Sequence, residues 1–250
     1  MKLQEKVVIV TGAGTGIGKA CAVRFAQEGA KVMLAGLELS TLQQVVQEIR
    51  ANGGEAQAVQ ADVGVADDTK RIVAETVAQF KSLHILVNNA ATVDLSRRVE
   101  DMSVEEWDRC LNASLRSVFL MSKWSAPYIR DSGGGSIVNL GSVGAIAPWA
   151  EGAAYCAAKG GVLALSKVLA IEFGPWNIRV NALSPGAVMT PNLERAIKHF
   201  DHYEKLCAKS VFKRVGRPDE IANAVLFLAT DSASYVSASN LIVDGGYLVL

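Results

Sequence analysis

The chain has 250 residues, with 25 Lys+Arg against 25 Asp+Glu, so no net field draws it onto nucleic acid or an anionic membrane surface. Half of the residues are hydrophobic and 20% are charged, which excludes a disordered chain and supplies apolar surface for one sizeable core, with a surplus left to cover. No Pro/Ser-rich linker, charge block or internal repeat marks a boundary, so residues 1–250 are expected to form a single domain.

Glu5 and Lys6 stand directly before the first short apolar run, where a secretory signal would need a longer uncharged stretch; a cytoplasmic location is expected. From there, β-branched runs alternate with segments of three-and-four spacing. Strands are expected over 7–10, 32–35, 56–61 and 85–87, with helices over 20–26, 42–49 and 72–80 between them. Further strands are expected over 136–140, 178–183 and 241–243, with a helix over 221–228 before the last. Strands that are nearly all apolar fit a parallel sheet covered by helices on both faces, the doubly wound α/β arrangement. Glu151, Lys159, Lys167 and Glu172 interrupt the most hydrophobic region, so no membrane span is expected. Cys21, Cys110, Cys156 and Cys207 are scattered and read as buried apolar residues, and His84, His199 and His202 as surface residues, with no metal site.

Directly after the first strand comes Thr11-Gly12-Ala13-Gly14-Thr15-Gly16-Ile17-Gly18, followed by a helix. Glycines there permit a tight turn and close approach of a pyrophosphate, whose charge the backbone N–H groups and the positive end of the helix would hold. Ala13 and Ala20 exclude a Walker A loop, and Ile17 stands where G-x-G-x-x-G needs its last glycine. The pattern that fits is T-G-x-x-x-G-x-G. Tyr155 and Lys159 are four apart in a helical stretch and so share one face. An ammonium beside a phenol favours its ionised form, and such a pair can exchange a proton with a hydroxyl or carbonyl. Ser142, after the 136–140 strand, lies where ligands gather in open α/β sheets, and its hydroxyl can bond the same oxygen. Leu140 and the lack of a His/acid pair exclude a hydrolase elbow there.

With these pieces the chain resembles the short-chain dehydrogenase/reductase family from end to end. The matching segments are T-G-A-G-T-G-I-G at 11–18, Asp62-Val63, N-N-A-A at 88–91, Ser142 with Y-C-A-A-K at 155–159, R-V-N-A-L-S-P-G at 179–186, G-R-P-D-E-I-A at 216–222 and V-D-G-G at 243–246. The resemblance implies one Rossmann-type sheet of about seven parallel strands, NAD(P)-dependent oxidation of a secondary alcohol or reduction of a ketone, and a homotetramer. It implies Tyr155 as general acid/base, Lys159 as the group that tunes it and binds the nicotinamide ribose, and Ser142 as donor to the substrate oxygen. Gly12, Thr15, Gly16, Ile17 and Gly18 would meet the pyrophosphate, and Asp62 and Val63 the adenine. Asn89, Ala90 and Ala91 would run along the cofactor, with Pro185, Gly186, Val188, Met189 and Thr190 around the nicotinamide.

Three departures from the family pattern matter. Ser114 stands where a catalytic Asn is usual, with Asn112 two residues away, so a water-held proton relay would run through a shorter side chain. Ala91 replaces the usual Gly. At the end of the second strand, Gly36 and Leu37 replace the Asp of NAD users and the Arg of many NADP users. Glu38 lies about twenty residues past Gly18, the distance at which an acid binds a ribose 2′-hydroxyl, and no Lys or Arg lies between Val32 and Ile49. NAD is therefore expected over NADP, unless Glu38 merely caps or precedes the next helix. Residues 187–212 are expected to form a lid over a substrate pocket shared with Trp149, Met189 and 93–95. The expected substrate is a small polar alcohol such as a sugar, polyol or hydroxy acid. The alternatives are reduction of 3-oxoacyl thioesters on acyl carrier protein, and a catalytically silent dinucleotide sensor.

Overall fold

The structure, a computed structural model, describes residues 1–92, 97–199 and 203–250. Seven parallel strands form one sheet: β1 (Val7–Thr11), β2 (Lys31–Gly36), β3 (Glu55–Gln60), β4 (Ile85–Asn88), β5 (Gly135–Leu140), β6 (Ile178–Pro185) and β7 (Asn240–Val243). Their order is β3-β2-β1-β4-β5-β6-β7, so the winding reverses between β1 and β4. Every expected strand is present within a residue or two of its expected bounds.

Alternation along β1 explains the two layers that enclose it. Val8 and Val10 point into one core with Val32 and Leu34, covered by α1 (Gly16–Gln27), α2 (Leu39–Ala51) and α9 (Pro218–Ala229). Val7 and Ile9 point into the other with Met33 and Ala35, covered by α3 (Ala66–Phe80), α5 (Ser117–Asp131) and α6 (Ala153–Phe173). All five residues of β1 are buried, as both-face coverage requires.

The segment before α5 departs from a regular helix. α4 (Val104–Leu111) opens on a capping box between Ser103 and Glu106, then passes through a π-helical turn, Asn112–Arg116, into α5. After β6, α7 (Pro191–His199) and α8 (Tyr203–Ala208) occupy much of the segment expected as a lid.

Three sequence expectations need correction. His84 is half-buried rather than on the surface: its Nδ1 accepts a hydrogen bond from the Val7 N–H at 3.0 Å, and burial with nearby Lys6 holds its pKa below the ordinary value. Cys21 and Cys110 are buried, but Cys156 and Cys207 are partly exposed. The stretch Ala153–Trp176 is long and apolar enough, by length and composition, to cross a bilayer, contrary to the expectation drawn from its charges. In this fold its inner face, with Leu169, Ala170 and Phe173, closes the second core instead.

Candidate active site

Where the winding reverses, the connections leaving β1 and β4 part in opposite directions and open a crevice at the carboxyl ends of the strands. Thr11, the last residue of β1, ties its two banks together. Its Oγ1 accepts from the Asn89 and Ala90 N–H groups at 3.0 and 3.1 Å, while Asn89 Nδ2 donates to the carbonyls of Thr11 and Gly12 at 2.9 and 3.2 Å. Gly12 has φ +63°, and a Cβ there would lie 2.9 Å from Asn89 Nδ2. A Cβ on Gly18 would collide with the Gly12 carbonyl. These close approaches leave no room for a side chain at either glycine, so the turn lies tight against Asn89 and the start of α1.

α1 begins at Gly16 with no side chain capping it from Thr15 and no acidic residue in its first turn. Its leading N–H groups thus suit an anion, and together with the bare glycine turn they fit the pyrophosphate of a dinucleotide. Thr190 closes the far side: its Cγ2 lies 3.1 Å from where a Gly16 Cβ would stand. Val188 is buried and Met189 half-buried on the same approach, and the Gly186 N–H is anchored on the Val243 carbonyl at 3.1 Å.

At the other end of the crevice, β2 stops at Gly36 and Leu37 is exposed. Glu38 precedes α2 but its carboxylate caps nothing; the Glu38 carbonyl accepts from Thr41 Oγ1 at 2.8 Å, leaving the exposed side chain outward. Asp62 forms a tight turn, its Oδ1 accepting from the Gly64 N–H at 2.8 Å, and Val63 beside it is buried.

β5 delivers the proton-transfer groups. Ser142 is buried just past its end, its Oγ accepting from the Gly144 N–H at 3.1 Å, beside the Tyr155 phenol. Lys159, one turn along α6, is buried; its Nζ donates to the Leu140 carbonyl at 2.6 Å and stands 5.8 Å from the Tyr155 ring centre. Burial lowers the Lys159 pKa to about 8. The Tyr155 pKa was expected to fall beside this ammonium. It is instead raised: desolvation outweighs the lowering by the Ser142 hydrogen bond. The spacing argument placed Lys159 beside the phenol correctly but missed how deeply both groups are buried.

Ser114 sits in the π-helical turn and is fully buried. Its Oγ accepts from the Thr92 N–H at 3.2 Å, which fastens that turn to the connection leaving β4. The turn also packs on α6, where a Cβ on Gly161 would lie 2.7 Å from Leu115. Ser114 thus lies in a turn that packs on α6, with one lone pair already engaged. A buried polar chain supports the same region: Asn88 Nδ2 donates to Asn139 Oδ1 at 2.8 Å, and Asn139 Nδ2 to Ser166 Oγ at 2.9 Å. Sequence reading did not single out Asn139 and Ser166, and it quoted Thr11 and Asn88 without a role. The signal was a polar residue inside or closing an otherwise apolar strand for Thr11, Asn88 and Asn139, and a serine on the buried face of an apolar helix for Ser166.

On the substrate side, the Trp149 ring centre is 5.9 Å from that of Tyr155. In α7, Leu193 and Ile197 are half-buried while Asn192, Glu194 and Arg195 are exposed. Phe200, His202 and 93–95 lie outside the described residues.

A family profile described as enoyl-(acyl carrier protein) reductase matches residues 12–248. The cyclohexanol dehydrogenase of Acinetobacter sp. (strain SE19) is 37% identical, over 98% of this chain and 96% of that one. The 3-oxoacyl-[acyl-carrier-protein] reductase of Thermotoga maritima is 35% identical over the whole of both chains. A crystal structure of a candidate short-chain dehydrogenase/reductase from Burkholderia xenovorans superimposes with a TM-score of 0.95 at 35% identity, covering 100% of this chain and 98% of that one.

Proposed function

The chain belongs to the short-chain dehydrogenase/reductase family and is an NAD(P)-dependent oxidoreductase of CH–OH groups; we propose that Tyr155 moves the proton while Ser142 and Lys159 hold the reacting oxygen and the cofactor ribose. The observation that carries this reading is the meeting of Ser142, Tyr155 and Lys159 at the carboxyl edge of β5, beside the Thr11–Asn89 crevice. A bound dinucleotide supplies the hydride acceptor or donor. In oxidation, Ser142 donates to the alcohol oxygen and the ionised Tyr155 takes its proton, becoming the neutral phenol; in reduction, that neutral phenol gives the proton back. Lys159 places a positive charge beneath the phenol and hands its hydrogen bonds between the Leu140 carbonyl and the ribose. Ser114 steadies the turn under this set.

NAD is the favoured cofactor: Glu38 is exposed at the end of β2 with its carboxylate uncommitted to the helix cap, where it can receive ribose hydroxyls but would repel a 2′-phosphate. A homotetramer would cover the surplus apolar surface, for Phe119 on α5, Val168 and Ile171 on α6, and Val249 and Leu250 at the C-terminus are all exposed. Light scattering from a micromolar solution should give four chains; a monomer would remove that part of the reading.

The decisive experiment is a screen of small secondary alcohols and ketones with NAD and NADP, run on wild type and Tyr155→Phe. Wild type should turn over, with NAD preferred, and Tyr155→Phe should lose roughly 10²–10⁴-fold in turnover while binding NADH as before. Full activity in Tyr155→Phe would overturn the assigned chemistry. Reduction of acetoacetyl thioesters with NADPH, and no oxidation of any free alcohol, would favour the acyl-thioester reading that the Thermotoga relative's name suggests.

A further inference from the structure

Trp149 rests on two places where the backbone carries no side chain. A Cβ on Gly144 would lie 2.5 Å from Trp149 Cζ3 and 2.9 Å from Cη2, and a Cβ on Gly152 would lie 2.8 Å from Nε1 and 2.9 Å from Cε2. The indole therefore bridges the loop, its benzo edge on Gly144 and its pyrrole edge on Gly152. Both seats are anchored. The Gly144 N–H donates to Ser142 Oγ at 3.1 Å, and the Ala145 and Ala147 N–H groups to the Ser142 and Val143 carbonyls at 3.0 and 2.8 Å. The Gly152 carbonyl accepts from the Cys156 N–H at 2.8 Å, and the Glu151 carbonyl from the Arg97 N–H at 3.0 Å. With the backbone held on both sides, any side chain at either glycine must displace the ring.

The position of the ring decides what the reacting oxygen's carbon skeleton meets. Its centre is 5.9 Å from that of Tyr155, and its pyrrole nitrogen faces Gly152, so the edge nearer Ser142 is carbon. From Val143 to Ala150 every other side chain is apolar, and Ile146 is exposed. Aromatic plates also stack on sugars, but sugar sites surround the remaining hydroxyls with hydrogen-bonding side chains. The side chains of residues 143–150 offer only the indole N–H. A polyol hydroxyl turned toward this wall finds no other side-chain partner as water is expelled.

We infer that Trp149, seated on Gly144 and Gly152, sets specificity by walling the site beside Tyr155 with a flat apolar plate that selects a secondary alcohol on a compact hydrocarbon ring over an open-chain polyol or sugar. This rests on the dehydrogenase reading above, and it sets aside the small polar substrate expected from sequence. Trp149 touches the substrate, whereas Gly144 and Gly152 are positioning residues that act through it.

The test compares kcat/KM for cyclohexanol with that for glycerol and galactose, in the full-length enzyme with saturating NAD and again with NADP. Wild type should prefer cyclohexanol by at least about tenfold. Trp149→Ala and Gly152→Ala should each erase about tenfold of that preference, chiefly through KM, with NADH affinity held. Trp149→Phe, which retains a flat ring and places no demand on folding, should recover part of it. Wild-type preference for glycerol or galactose, or preference unchanged in Trp149→Ala and Trp149→Phe, would overturn the inference while leaving the dehydrogenase reading intact. Turnover of no alcohol by wild type would overturn both.

Discussion

The turn after β1 and the loop after β5 both depend on missing side chains, for opposite purposes. At Gly12 and Gly18 the missing side chains let the Gly12 carbonyl, the Ala90 backbone and the Asn89 amide close up against the turn; at Gly144 and Gly152 the protein fills the space with its own Trp149. The first region presents N–H groups that any dinucleotide can use. The second presents a particular side chain at a particular distance from Tyr155. One glycine pair thus serves a chemistry shared by many enzymes, and the other a choice among substrates.

That contrast can be broken most severely at the first site. Gly18→Ala should weaken NADH binding by about a thousandfold, ~4 kcal/mol, since its Cβ would be driven onto the Gly12 carbonyl and Asn89, neither of which can yield without opening the crevice. Fluorescence titration measures this, and near-normal affinity would show that the turn is looser than its contacts imply. Substitution at Gly152 should spare NADH binding, which sharpens the division between the regions.

The second expected effect lies at the end of β5, where Lys159 donates to the Leu140 carbonyl. Lys159 is held at about 8 in the fold against 10.5 when free, so between those values the unfolded chain binds a proton that the folded chain does not. Stability from this site therefore rises as pH climbs from 8 to 10.5 and is lost again as pH falls across the same window, by up to about 3 kcal/mol. In the absence of dinucleotide, the urea midpoint of wild type should climb relative to Lys159→Met across that window. Parallel curves would show that Lys159 stays solvated.

The smallest effect concerns the ribose end. Leu37→Arg should raise kcat/KM with NADP by about tenfold, since Leu37 is exposed and an arginine there can reach a 2′-phosphate without displacing packed atoms. No gain would mean that the Glu38 carboxylate governs the choice alone.

Much of this was legible in the sequence because it is local. Apolar runs marked all seven strands, and the Tyr155–Lys159 spacing and the glycine turn carried their own geometry. What escaped notice depends on partners distant in the chain. His84 looked like a surface histidine until Val7 was placed against its ring. The phenol of Tyr155 was expected to ionise more readily, yet depth of burial, which spacing does not report, moved it the other way. Gly144 and Gly152 drew no notice, because nothing nearby in sequence shows that Trp149 folds back onto both. No residue preference marked Asn112–Arg116 as a π-helical turn, which packs against α6 and is fastened by the bond from the Thr92 N–H to Ser114.

The Thr11 hydroxyl has a kinetic consequence. By accepting from two successive amides across the crevice, it shelters the Asn89 and Ala90 N–H groups before any ligand arrives. Their hydrogen exchange should therefore be slow in the free protein and change little on cofactor binding. The ordering entropy of that bank is spent once, during folding, so each arriving dinucleotide meets a crevice already in shape and the enzyme repeats no rearrangement there from one turnover to the next.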